Sequence, residues 1–487
     1  MENCREMEAA LVRKSGEEEE VASSSSEITF WEELKRISSM AAPMVGVTVS
    51  QYLMEVVSLM MVGHLGVLVS FSGVAVATSF AEVTGFIVLL GMSGALETLC
   101  GQMYGAKEYR KFGNYTWCAI VTLILVCLPI SLVWIFTDKI LILFSQDPEI
   151  SRVASQYCIY LIPGLFGYAI LQALTRYFQA QSMIFPMVFS SITTLCLHIP
   201  ICWGLVFPLG LGHVGAALAI GFSYWLNVLW LAIYMLYSPA CQKTKIVFSS
   251  NALLDIPEFL KLSIPSGLML CFESWSFEAL TLLAGLLPNP QLQTSVLSVC
   301  LNITTLHYFV PFAVGASAST RVANELGAGN PRTAKGVVRV VVILGIVEAI
   351  IVSIVFFSCR HVLGYAYSND IEVVDYLASM APILCVSVSA DSLNGALSGI
   401  ARGGGFQQIG AYVNLGAYYL VGIPVGLFLG FHLQLNVQGL WMGPVSGSVL
   451  QVIILVIVTA QTNWQKEATK AKERVFENSS KIDIVFV

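Results

Sequence analysis

Three carboxylates, Glu273, Glu278 and Asp391, lie in stretches of the sequence that are otherwise long and apolar enough to cross a membrane. No Lys or Arg lies inside those stretches to neutralise them. On insertion scales an ionised side chain at the centre of a membrane helix costs roughly 2.5–3.5 kcal/mol, so such residues usually face a polar cavity and act there. Burial also favours the protonated form of a carboxyl group. The three acids therefore predict a site that binds protons or other cations.

The composition places these acids in a membrane protein. Of the 487 residues, 56% are hydrophobic and only 11% are charged, whereas soluble domains carry about 25% charged residues. Apolar runs of about 20 residues, each long enough to span a bilayer, recur along the chain. We count twelve, and the sequence therefore predicts an all-α polytopic membrane protein with twelve transmembrane helices. The runs are centred near residues 50, 80, 125, 166, 193, 224, 271, 303, 345, 385, 417 and 449.

Basic residues predict the orientation of the spans, because loops on the cytoplasmic side carry an excess of Lys and Arg. With the N-terminus placed in the cytoplasm, 22 of the 25 basic residues fall on the inner side, and only Lys139, Arg152 and Arg360 fall outside. An odd number of spans would destroy this bias. We therefore expect both termini to be cytoplasmic, in either the plasma membrane or the vacuolar membrane.

An internal repeat divides the spans into two sets of six. Pro43 and Pro265 are 222 residues apart, as are Gly105 and Gly327, while Gly215 and Gly439 are 224 apart. Six is an even number, so both halves have the same orientation, and a substrate site is expected between them. The predicted organisation is a disordered tail (1–30), an N-lobe (31–238), a cytoplasmic linker (239–257), a C-lobe (258–462) and a C-terminal tail (463–487).

The two glutamates of span 7 point in different directions. Glu273 and Glu278 are five residues apart, which is about 140° around a helix, so one can face a central cavity while the other faces a neighbouring span. Trp275 and Phe277 between them offer aromatic faces that can hold an organic cation. We expect Asn394, close to Asp391 in span 10, and Asn302 in span 8 to complete a protonatable pocket in the second half.

The repeat suggests an asymmetric site, because Glu273 aligns with Gln51 and Asp391 aligns with Ala169. The first half has its own buried acids, Glu55 and Glu82, whose direction the sequence leaves open. We interpret His307 in span 8 as a core histidine and Glu348 in span 9 as structural. Pro43 in span 1 predicts either a static bend or a hinge.

Several long signatures resemble those of the plant multidrug and toxic compound extrusion (MATE) family, also called DETOXIFICATION proteins, and the resemblance extends from about Phe30 to Trp464. They lie in and beside the predicted inner loops, at 60–66 (MMVGHLG), 95–102 (ALETLCGQ), 104–106 (YGA), 176–181 (RYFQAQ), 321–329 (RVANELGAG), 399–403 (GIARG) and 414–419 (NLGAYY).

The resemblance implies two six-helix lobes in a V shape and the export of organic compounds in exchange for protons or sodium. It also implies that Glu273 and Asp391 form an acidic pocket, with Glu278 at a second acidic position, and that Pro43 lies in a bent first helix. The plant members resemble the proton-driven branch of the family. Glu55 and Glu82 depart from the family, where uncharged side chains are expected.

We therefore hypothesise a secondary active transporter, not an enzyme, in which protonation of Glu273 and Asp391 displaces an organic, often cationic, substrate. No phosphate-binding loop or metal-ligand cluster occurs in the sequence, so we expect no cofactor beyond a proton gradient. The expected partners are small organic molecules, protons and the bilayer, without nucleic acid, and we expect a monomer. Two alternatives are a carrier for organic acids such as citrate and a flippase for a lipid-linked substrate, and both would need positive charge in the cavity.

Overall fold

The computed structural model describes residues 30–246, 254–367 and 370–484. This part of the chain contains helices and no strand, and twelve of its helices are long and apolar enough to cross a membrane. The predicted fold class is therefore confirmed. The twelve helices are α1 (Phe30–Gly63), α2 (Leu68–Gly105), α3 (Tyr109–Ile135), α4 (Pro148–Ala180), α5 (Ile184–Val206), α6 (Gly212–Tyr237), α7 (Ile256–Ala284), α8 (Pro290–Gly327), α9 (Pro331–Ala366), α10 (Ile371–Gly404), α11 (Gln407–His432) and α12 (Asn436–Gln461).

Parts of the predicted organisation lie outside the described residues. They are the predicted disordered tail, of which only Phe30 is described, residues 247–253 of the predicted linker, 368–369 of the predicted C-lobe and 485–487 of the predicted C-terminal tail. The described part of the linker contains a short 3₁₀ turn, Pro239–Cys241, and the first turn of α7.

Two of the spanning helices contain π-helical segments. In α2 this segment is Glu82–Phe86, and α11 contains two, Leu415–Gly422 and Phe428–His432. Such segments frequently occur at functional sites, because they rotate the side chains that follow and loosen the backbone hydrogen bonding. Both α2 and α11 supply residues to the acidic sites described below.

The helices form two lobes. Within the first lobe α4 packs on α3 and α6, and within the second α10 packs on α8, α9 and α12. One large cluster of buried apolar side chains belongs mainly to the first lobe, and two further clusters lie in the second. The lobes meet where α2 contacts α7 and α8, and where α1 contacts α8.

We call the membrane face on which α1 begins and α12 ends the terminal face, and the opposite one the distal face. The polar contacts between the lobes concentrate near the terminal face. There Gln179 donates to the carbonyl of Ala316 at 2.9 Å, and Asn324 donates to the carbonyl of Ala180 at 3.2 Å. The lobes are therefore closed on this side.

Towards the distal face the lobes separate. Tyr52 on α1 contacts Phe309 on α8, with ring centroids 5.2 Å apart. Beyond this contact, Val56 and Met60 on the same face of α1 and Leu306 on the same face of α8 are exposed. Since these side chains continue the two facing surfaces, we interpret the space between α1 and α8 as a cleft that widens towards the distal face.

The predicted C-terminal tail contains a further helix, α13 (Trp464–Ile484), that spans both lobes beneath the terminal face. Trp464, Ala468 and Ala471 pack into a core cluster formed mostly by the second lobe, whereas Val475 packs into the core of the first. The Arg474 guanidinium donates to Gln102 Oε1 of α2 at 3.3 Å.

Candidate functional site

Glu273 on α7 and Asp391 on α10 are brought together inside the second lobe. They are 9% and 6% exposed and interact electrostatically with each other. Tyr418, from the first π-helical segment of α11, and Gln451, on α12, lie beside Glu273. The Tyr418 hydroxyl donates to Gln451 Oε1 at 2.8 Å. Four helices thus hold the carboxylate pair in a buried polar environment.

A cation lies closer to this pair than the sequence indicated. Arg402 belongs to the last turns of α10, is buried between the lobes and interacts electrostatically with Glu273. The sequence places Arg402 at the inner end of span 10, and the structure brings it within electrostatic range of Glu273 because α10 continues to Gly404 and its terminal-face end is covered by the first lobe rather than by water.

The two sides of α7 carry different residues, as helix geometry requires. Glu278 interacts electrostatically with Glu82 of the first lobe. Trp275 donates from its indole nitrogen to the carbonyl of Val83 in the α2 π-helical segment, at 3.0 Å. Glu273 and Phe277 instead face the second lobe, where Phe277 packs against the buried Trp441 with ring centroids 6.0 Å apart. Trp275 and Glu278 therefore lie at the boundary between the lobes.

The two asparagines proposed for the pocket lie in different places. Asn394, one turn after Asp391, is buried and donates to the carbonyl of Ser448 at 3.2 Å, and its Oδ1 has no hydrogen-bond partner among the described residues. Asn302 is exposed on the same face of α8 as Leu306 and Phe309. It lines the cleft rather than the pocket around Glu273 and Asp391.

Gln51 and Pro43 both lie on α1. Gln51 is half-buried one residue before Tyr52, close to the narrow part of the cleft. The helix continues without interruption through Pro43. Its role as a hinge stays a prediction.

The first lobe contains a second acidic group. The Tyr224 hydroxyl donates to Glu55 Oε1 at 3.3 Å, and Glu55 interacts electrostatically with Glu82. Tyr168 lies within electrostatic range of both acids, and its ring contacts Tyr224 with centroids 5.2 Å apart. Sequence reasoning found these acids but did not group them, because they come from different helices and their tyrosine partners lie more than 80 residues further along the chain.

A buried ion bridge joins the lobes near the terminal face. Glu97 on α2 pairs with Arg176 on α4 at 2.7 Å and with Arg402 on α10 at 2.8 Å. The Glu97 side chain is 1% exposed and that of Arg176 is 3% exposed. A second bridge joins Glu33 on α1 to Arg321 on α8 at 2.6 Å. The Glu97–Arg402 and Glu33–Arg321 pairs cross the boundary between the lobes, so they stabilise the closed terminal face.

A metal site is one alternative to the carboxylate sites, but within the described residues no group of three His, Cys, Asp or Glu side chains could hold a metal ion. A groove of about 800 Å³ lies between α5 and α6 and is lined by Trp203, Phe222, Trp225 and aliphatic side chains. It has no acidic side chain, so it is separate from the carboxylate sites.

Comparison with known proteins agrees with this architecture. A family model described as MatE matches the chain twice, over residues 43–203 and 265–428, once in each lobe. Protein DETOXIFICATION 9 and Protein DETOXIFICATION 14 of Arabidopsis thaliana are each 52% identical to it, over 445 and 446 residues, and the matches cover 91% and 92% of this chain and 92% of each relative.

Solved structures of MATE transporters have the same fold as this chain. The crystal structure of the eukaryotic MATE transporter AtDTX14 is 51% identical and superposes with a TM-score of 0.88, covering 92% of this chain and 99% of that one. A MATE crystallised in a bent conformation is only 16% identical, with a TM-score of 0.79 over 93% of this chain and 99% of that one, and supports the fold alone.

Two six-helix lobes enclosing buried acids in a multi-pass membrane protein define a secondary transporter rather than an enzyme. With the family model matching both lobes, the chain belongs to the MatE family. It is a MATE transporter that handles small organic compounds.

Proposed function

We propose that this chain is a proton-coupled antiporter that exports organic, often cationic, compounds by alternating access. Glu273 and Asp391 are its proton-binding residues, and the proton gradient is its energy source without a further cofactor. The substrate binds in the cleft, where Gln51, Trp275 and Asn302 line or adjoin the space and Glu278 supplies negative charge. Asn394 supports the acidic pair, while Phe277 packs behind it.

The observation that carries this proposal is that Glu273 and Asp391 are both buried inside the second lobe and lie close enough to interact electrostatically. Two carboxylates at this depth repel each other if both are ionised, so the pair favours binding a proton or another cation. Protons on this pair and a cationic substrate in the cleft are then coupled through charge, because the ionised pair adds to the negative potential that attracts the cation. Proton uptake from the distal side removes that charge and releases the substrate, while proton loss on the terminal side restores it.

Alternating access is supported by how the lobes meet. The ion bridges and close helix contacts near the terminal face, together with the cleft towards the distal face, correspond to an outward-facing state if both termini are cytoplasmic. The opposite state requires the Glu97 and Glu33 bridges to separate and the cleft to close. Pro43, in the helix that lines the cleft, is our candidate for the hinge that permits this change.

The proposal includes an orientation and a location. Both termini are cytoplasmic, as the distribution of basic residues indicates, so substrate leaves the cytoplasm into the acidic exterior or the vacuole. The functional unit is a monomer, because each chain contains both lobes and the cleft between them.

Neither alternative from the sequence has comparable support. A carrier for organic acids or a flippase for a lipid-linked anion needs positive side chains free to bind substrate. The buried arginines Arg176 and Arg402 are both paired with Glu97.

The proposal is tested by transport into proteoliposomes containing the purified protein, with a panel of organic cations and anions and with an imposed pH gradient. The wild type is expected to accumulate cations only with the gradient. Glu273→Gln and Asp391→Asn are each expected to abolish this accumulation.

The control is exchange of labelled for unlabelled substrate without a gradient, which reports a folded carrier. Accumulation at the wild-type rate in either variant would overturn the proposal, as would selective uptake of anions by the wild type.

A further inference from the structure

His307 on α8 and Glu348 on α9 form a buried pair in the second lobe. His307 Nε2 lies 2.9 Å from Glu348 Oε1, and the two side chains are 3% and 17% exposed. The two residues are 41 positions apart, and the sequence alone indicates a core histidine and a separate structural glutamate. Both lie near the middle of their helices, at the same depth as Glu273 and Asp391.

The pair adjoins the proton-binding acids. The Ser392 hydroxyl lies 3.4 Å from His307 Nε2, and Ser392 directly follows Asp391 in the chain. Glu348 also interacts electrostatically with Asp391. Three carboxylates, Glu273, Asp391 and Glu348, therefore share one buried region with a single imidazole.

Each residue of the pair has one polar atom without a hydrogen-bond partner. His307 Nδ1 and Glu348 Oε2 are both buried, and neither has a hydrogen-bond partner among the described residues. Buried polar atoms are satisfied in most proteins, and exceptions often mark a group that changes protonation state. A pair that served only to join α8 to α9 would not need an imidazole with a free ring nitrogen.

The other charged or titratable side chains around the acids come from four helices. Arg402 interacts with Glu273 but is already paired with Glu97. Besides the carboxylates Glu273 (α7) and Asp391 (α10) themselves, the remaining neighbours are two tyrosines, Tyr308 (α8) and Tyr418 (α11). Tyrosine side chains are neutral at physiological pH.

We propose that His307 and Glu348 act as a positioning pair that sets the charge seen by Asp391 and thereby the pH at which the transporter releases its substrate. The imidazole of His307, whose Nε2 lies 2.9 Å from Glu348 Oε1, offsets the negative charge that this carboxylate presents to Asp391. This inference rests on the proposed proton coupling and adds two residues to it.

Substitutions of Glu348 and of His307 are expected to shift the pH midpoint of transport in opposite directions. Glu348→Gln removes a negative charge beside Asp391, so the pH midpoint of gradient-driven transport should fall by about one unit. His307→Gln leaves Glu348 without its counter-charge, so the midpoint should rise. The double variant should behave like Glu348→Gln, because the charge that His307 balances is gone.

The test is the initial rate of substrate accumulation in proteoliposomes as a function of pH on the proton-donating side. Glu348→Asp keeps the charge and should keep the wild-type midpoint even if its rate is lower. Ser353→Ala is the matched control: Ser353, five residues after Glu348 on the same helix, bonds to Ser389 of α10 at 2.8 Å but cannot titrate. Its midpoint should be that of the wild type.

Different results would contradict the proposed proton coupling and the role of the His307–Glu348 pair. A wild type that transports independently of pH would contradict proton coupling itself. If the wild type responds to pH, then unchanged midpoints in both single variants, or shifts in the same direction, would overturn the role of the pair alone.

Discussion

Gly105 and Gly327 are related by the repeat and pack symmetrically at the crossing of α2 and α8. A Cβ atom on Gly105 would overlap the carbonyl of Asn324, and one on Gly327 would overlap the carbonyl of Gln102. Gln102 and Asn324 are themselves 222 residues apart, the same offset as the two glycines. A pseudo-twofold axis along the membrane normal therefore passes through this crossing, where the closed terminal face brings the two backbones together.

Replacing either glycine should prevent this close approach. Gly105→Ala and Gly327→Ala each place a methyl group against backbone that cannot move aside, which costs about 1–3 kcal/mol of overpacking in the closed state. We expect both variants to reach the membrane and to transport at less than half the wild-type rate. Gly336→Ala is the control, because nothing lies within 4 Å of the added Cβ. Full activity in the Gly327→Ala variant would contradict this account.

Removing the carboxylate of Glu97 should destabilise the protein strongly. Glu97→Gln leaves Arg176 and Arg402 buried without their counter-ion, and breaking a buried pair in this way costs about 3–5 kcal/mol. Thermal unfolding in detergent should show a clear fall in the midpoint temperature. Glu467→Gln breaks the partly exposed Glu467–Lys470 pair, for which about 0–1 kcal/mol is expected. Equal effects of the two substitutions would exclude a special role for the bridge.

Substituting Trp275 tests whether the boundary between the lobes contributes to substrate binding. Trp275→Phe keeps most of the aromatic surface but loses the hydrogen bond to Val83, a loss of about 1 kcal/mol. If the ring orientation matters for binding a cation, KM should rise about fivefold. Trp225→Phe removes a similar bond, to the carbonyl of Pro163 at 2.9 Å, outside the cleft. Its KM should stay that of the wild type.

A charge placed on the buried face of α13 should loosen the terminal face. Val475→Asp puts a carboxylate into the core of the first lobe, where Val475 is fully buried. A cysteine introduced at Ser319, which is buried beside Glu97, should then react faster with a thiol reagent. Phe476→Asp is the matched control, because Phe476 is 58% exposed. The background needs Cys4 replaced together with Cys196 and Cys359, the exposed cysteines among the described residues. Equal labelling of the two variants would contradict the bridging role.

The sequence predicted what depends on local periodicity and on the repeat. Span length and apolar content are properties of single segments, so the twelve helices and their two sets of six could be read without knowing the packing. The divergence of Glu273 and Glu278 followed in the same way from helix geometry.

Features that depend on the rotation of one helix against another could not be read from the sequence. The sequence groups Asn302 with the acids because span 8 directly follows span 7, but α8 turns it towards the cleft. His307 and Glu348 seemed unrelated because their contact forms only when α8 and α9 pack together. The helix α13 had a detectable signal, since Trp464, Ala468, Ala471 and Val475 recur at helical spacing.

The position of α13 has a consequence for regulation. Trp464 at its start and Val475 near its middle lie in the cores of different lobes, so the helix binds fully only while the terminal face is closed. By thermodynamic linkage, any modification or partner that favours the free helix must favour the opposite state of the transporter by the same factor, and substrate conditions that open the terminal face must release the helix. The C-terminal segment can thus sense the transport cycle without itself lining the cleft between α1 and α8.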